Sequence, residues 1–127
     1  MSFLGLSAAA SFLLALILGA SAVLVPAAAL HVAFAIGVLP LIFGAMLHFV
    51  PVLTRSAGPH RAIAGLPFIA QGTGILVVLA IQGLVPRWLL HPAASIDLLL
   101  ALILMGWMAG RARRAVGSPH PGWRWYL

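Results

Sequence analysis

Four long stretches almost free of charge constrain this chain more than any motif does. They run from about Phe3 to Val25, Ala29 to Leu53, Ala62 to Val85 and Pro92 to Ala109, close to the ~20 apolar residues that cross a bilayer. Inside hydrocarbon every backbone amide must find its partner within its own segment, and these runs lack the alternation of barrel strands. Each therefore reads as a helix, and the expected fold is an all-α integral membrane bundle of four transmembrane helices. The first connection breaks at Pro26, and TRSAGPH (54–60) and VPRWLLHP (85–92) form the next two. Connections this short make sequential helices antiparallel neighbours.

Charge sets the orientation. Charged residues are 6% of the chain, and the net charge of +6 sets seven arginines against one acid, Asp97. In a soluble protein this balance would suggest nucleic acid. Here the arginines stand at segment ends, where they anchor to membrane lipids and set topology, so the sequence argues against a nucleic-acid partner. Four spans put Arg55, Arg61, Arg111, Arg113, Arg114 and Arg124 on the side of the N-terminus and leave Arg87 alone opposite. Both termini are thus expected in the cytoplasm, with the chain multi-pass in a bacterial-type inner membrane. The first span has no basic region before it and leads into another span, which favours a retained helix over a signal peptide.

Residues 1–110 read as the transmembrane domain, and 111–127 as a basic, aromatic cytoplasmic tail on the headgroups or the start of a missing fifth helix. Arg55, Arg61, Arg111, Arg113, Arg114, Trp123 and Trp125 are the expected interface anchors. Small residues are the expected packing faces: Ser7, Ser11, Ala15 and Gly19 at spacing four, and Gly106 and Gly110 on the last span. Together they argue for a tight bundle or a docking face. Pro40 removes the bond its nitrogen would give to the Ile36 carbonyl and predicts a kink between Gly37 and Gly44.

With no cysteine there is no disulfide, iron–sulfur cluster or thiolate site, and histidine is left as the metal ligand. His31 and His48 lie about 25 Å apart along one helix at 1.5 Å per residue, too far to share a metal. His31, near the outer end, is the expected metal and cofactor ligand, because an imidazole facing a bundle can hold haem iron within apolar walls. His91, on the same outer side, is its partner within the chain, and His48 is a third cofactor-binding candidate at the other end. An interfacial histidine can equally be structural. Asp97 lies inside the fourth helix, where an unpartnered charge is costly; it is expected to orient a histidine, relay protons or pair with Arg87. Gln71 is read with it as a proton-relay or supporting residue, or with Thr73 as interhelical hydrogen-bonding glue. There is no phosphate loop, nucleophile elbow, HExxH or dinucleotide fingerprint, and no catalytic residue is assigned.

The stretch HVAFAIGVLPLIFGAMLHFVPVLTR (31–55) resembles the second transmembrane helix of haem-copper oxidase subunit I. There a histidine near the outer end is followed by a proline, a glycine pair, a polar residue and a Val-Pro before the loop. It is similar also to NnrS-type haem and copper membrane proteins, in which a histidine-led helix runs into a VPxxTG turn; here the turn reads VPVLTR (50–55). The resemblance implies that His31 is an axial ligand of a low-spin haem. It covers this one helix, and those families carry their second haem ligand and copper histidines on later helices, so oxygen reduction, proton pumping and a copper site do not carry over. It implies the front portion, or a small relative, of a haem-bearing membrane protein completed by another membrane subunit or by self-association.

Three functions follow. One is a haem-binding electron-transfer subunit, oxidoreductase-like. Another is a non-catalytic accessory or assembly subunit of a larger membrane complex. The third is a small transporter or proton channel using Asp97, Gln71 and His48, against which a single acid counts.

Overall fold

The computed structural model describes residues 2–21 and 23–115, and every regular element among them is helical. Helix α1 (Ser2–Ala20) is followed by α2 (Pro26–His31), which continues through a π-helical segment (Val32–Val38) into α3 (Leu39–Thr54). A short α4 (Arg61–Ala64) leads into α5 (Leu66–Ile81), and a 3₁₀ turn (Arg87–Leu89) into α6 (Leu90–Arg113). Grouped, they give four helices long and apolar enough to cross a membrane: Phe3–Ala20, Pro26–Thr54, Arg61–Ile81 and Arg87–Arg113. The chain is a multi-pass membrane protein. Trp123, Trp125 and the rest of the aromatic tail lie outside the described residues.

The helix ends have local causes. Helix α1 stops at Ala20, short of Val25: the Ser21 hydroxyl and the Val23 amide both turn back to the Leu18 carbonyl, at 3.1 and 3.2 Å. Helix α5 stops at Ile81, short of Val85. Gly83, at φ +80, lets its amide reach the Ala80 carbonyl and the Leu84 amide the Leu79 carbonyl, a Schellman closure. The same closure ends α3, with Arg55 in the left-handed position and the Ser56 amide on the Pro51 carbonyl at 2.9 Å. Pro26 and Pro92 sit in first helical turns, where a missing N–H removes no intrahelical bond.

The second span is the centre of the bundle. Its π segment packs between α1 and α5, and α6 packs on α5 and α3. Gly37 approaches Ser11 and Ala8 of α1, Gly19 approaches Ala29, and Gly44 approaches Leu4, so the first two spans run in opposite directions. The small-residue ladder of α1 is thus spent inside the chain. Phe43, Leu47, Val50, Leu66, Ala70, Leu100, Leu104 and Met108 form one core, and Ala28, Val32 and Val78 a smaller one toward the other end. Apolar burial between helices supplies little drive in lipid, so these contacts hold by close packing and hydrogen bonds.

Candidate functional site

His31 closes α2 where the wider π turns begin. Its Nδ1 lies 2.8 Å from the Ala27 carbonyl oxygen. A carbonyl only accepts, so Nδ1 carries a proton, and in the neutral ring Nε2 keeps its lone pair. The ring is exposed, beside a groove of about 270 Å³ lined by Leu30, His31, Phe34, Ala35 and Leu39. A second groove of about 490 Å³ adjoins it through Leu30. Phe34 of the first and Phe12 of the second meet edge to face, with centroids 6.4 Å apart. A histidine whose Nδ1–H is held by a backbone carbonyl, leaving Nε2 free, has the tautomer and fixed orientation of a metal ligand. Sites that enclose a small molecule span roughly 300–1,000 Å³, so the groove beside His31, at about 270 Å³, is smaller than a site that encloses one.

None of the remaining histidines lines that groove. His48 lines a groove of about 360 Å³ near the other end of the second span. His60 caps α4, its Nδ1 accepting the Ala62 amide at 3.2 Å. His91 is exposed on the first turn of α6, and its carbonyl accepts the Ser95 hydroxyl at 2.9 Å. The groove beside His31 is lined from one stretch of chain and contains no second imidazole. Among the described residues no three His, Asp or Glu side chains gather as a metal cluster.

Two polar contacts inside the bundle join neighbouring spans. Asp97, half-buried on α6, has the Thr73 hydroxyl of α5 against its Oδ1, and Thr73 also lies 2.9 Å from the Ala70 carbonyl. The partner of the only acid is therefore a hydroxyl in the neighbouring span. Gln71 Nε2 lies 3.4 Å from the Ile36 carbonyl, the acceptor that Pro40 cannot serve. Three residues on, the Gly74 backbone lies against the Ala35 carbonyl: a methyl built on Gly74 would stand 2.6 Å from that oxygen. In the π register the Leu39 amide reaches back to Phe34, and the Ala35 and Ile36 carbonyls lie against α5.

Sequence reading missed two positioning residues. Gln82, at the end of α5, accepts the Val25 amide at 3.2 Å and donates to the Val23 carbonyl at 2.9 Å, fixing the loop that launches α2 and His31. Its signal was an amide side chain beside a helix-ending glycine. Arg111 donates to the Ala57 and Gly58 carbonyls and lies over the Trp107 ring, 5.2 Å from its centroid. That ties the end of α6 to the loop between α3 and α4, where an anchor to headgroups alone was expected. No family model, curated protein or solved structure matches the chain.

Proposed function

We propose that the chain is a haem-binding electron-transfer subunit of a membrane protein, with His31 as axial ligand, in a bacterial-type inner membrane with both termini cytoplasmic. The observation that carries the reading is the His31 imidazole, its Nδ1–H held by Ala27 and its Nε2 without a hydrogen-bond partner among the described residues, beside an apolar, aromatic-walled groove. A haem there would supply a one-electron carrier, with Leu30, Phe34 and Leu39 excluding water from one face. His91, or a histidine of a partner chain, would supply a second ligand. The orientation rests on Arg55, Arg61, Arg111, Arg113 and Arg114, which the contact of Arg111 with the α3–α4 loop gathers at one end of the bundle.

The test is a pair of visible spectra, oxidised and dithionite-reduced, of protein purified in mild detergent with its native neighbours. A Soret band that sharpens on reduction, disappears in His31→Ala and survives His60→Ala is the expected result. His91→Ala recorded alongside identifies the second ligand. A featureless spectrum from the unaltered protein overturns the reading.

One observation favours the accessory-subunit alternative. Gly106 and Gly110 on α6 have open space where a side chain would stand, which leaves that face free for a neighbouring membrane subunit or a second copy.

A further inference from the structure

At the end of the bundle opposite His31, a groove of about 360 Å³ runs between the start of α1, α3, and the α4–α5 corner. Its walls include Phe3, Leu4, Leu47, Pro67 and Phe68, and the Phe3 and Phe68 rings stand 6.1 Å apart. His48 also lines it. Among the described residues neither nitrogen of His48 has a hydrogen-bond partner, and the ring meets Phe49 edge-on at 5.2 Å. The second span has 29 residues, roughly 43 Å at 1.5 Å per residue against ~30 Å of hydrocarbon. His48 lies about 9 Å before the helix ends at Thr54, so it stands close to the boundary where acyl chains give way to their ester groups.

An exposed arginine, Arg61, stands in the chain between two residues that line the groove, Pro59 and Ala64. It lies one turn before Ala64 on α4 and so on the same face. Asp97, the chain's one acid, is engaged with Thr73. Among the described residues, the end that carries Arg55, Arg61, Arg113 and Arg114 therefore has no side-chain carboxylate to balance it. An apolar trough, an imidazole with free nitrogens at ester depth and an unbalanced guanidinium at headgroup depth match, in that order, the parts of one molecule.

We infer that this groove binds one anionic glycerophospholipid, its acyl chain along Phe3, Leu4 and Phe68, its ester region at His48 and its phosphate at Arg61. The site is independent of haem at His31. The test uses delipidated protein in neutral detergent, titrated with phosphatidylglycerol or with phosphatidylcholine of the same chains, and bound lipid counted by native mass spectrometry. The expected result is one phosphatidylglycerol retained where phosphatidylcholine is lost. Arg61→Gln weakens that binding about fivefold and His48→Leu weakens it also. Arg113→Gln removes the same charge from the same end, off the groove, and leaves it unchanged. Equal retention of the two lipids by the unaltered protein overturns the proposal whatever the variants do. So does an Arg113→Gln effect as large as that of Arg61→Gln, which means diffuse surface charge. Lipid-free melting curves of each variant separate loss of binding from loss of fold.

Discussion

Pro40 takes one backbone donor out of the middle of the second span, and the consequence falls on another helix. The Ile36 carbonyl takes a hydrogen bond from Gln71, so Gln71→Leu removes a hydrogen bond between two spans. The expected loss is about 1 kcal/mol, within the range of interhelical bonds in membranes, read as a lower free energy of unfolding in mixed micelles. Arg55 makes the opposite case. It holds φ 50 and ψ 40 to close α3, a conformation that costs a side-chain-bearing residue roughly 1–2 kcal/mol and glycine almost nothing. Arg55→Gly should raise the unfolding free energy by about 1 kcal/mol, unless the guanidinium's own contacts with headgroups outweigh the relief; melting the two proteins in neutral detergent, where headgroup attraction is absent, isolates the backbone effect.

At the scale of elements, the π segment is where three helices meet. Gly37 lets α1 approach it and Gly74 lets α5 approach it, so its wide turns are held from both sides. Gly74→Ala would drive a methyl into the Ala35 backbone, which cannot rotate away, and is expected to cost about 1–3 kcal/mol. Gly72→Ala, two residues earlier with nothing within 4 Å, should gain up to about 1 kcal/mol from helix propensity. The contrast between these two substitutions, measured by unfolding in the same detergent, tests the close approach directly. If both are tolerated, the π segment and α5 are not in contact as described.

At the scale of the molecule, four helices bury few side chains and expose a wide apolar surface, including Leu6, Leu13, Leu16 and Ile17 on α1 and Leu98 and Leu99 on α6. In a bilayer that surface faces lipid or a neighbouring subunit. The small-residue faces divide accordingly. Gly19 already packs on Ala29, so Gly19→Leu is expected to lower the melting point of the isolated chain. Gly106→Leu meets only open space and should leave that melting point unchanged. Loss of a co-purifying membrane protein in Gly106→Leu alone would identify α6 as the docking face.

The apolar runs and the scarcity of charge by themselves determined an all-helical chain with four membrane-long segments, because hydrocarbon leaves the backbone no other way to satisfy its amides. Pro26 and Pro40 marked the first connection and the interruption of the α-helix in the second span, although the closure at Gly83 and the early stop of α1 needed their hydrogen bonds to be seen. Tertiary structure alone decided which partner each lone polar group takes. Nothing in the sequence around Asp97 points to Thr73 over Arg87 or a histidine, nothing near Gln71 points to Ile36, and the tautomer of His31 follows from one carbonyl a turn away. Such pairings depend on register between helices, and register is set by where small residues let backbones touch, which a single chain read end to end does not contain.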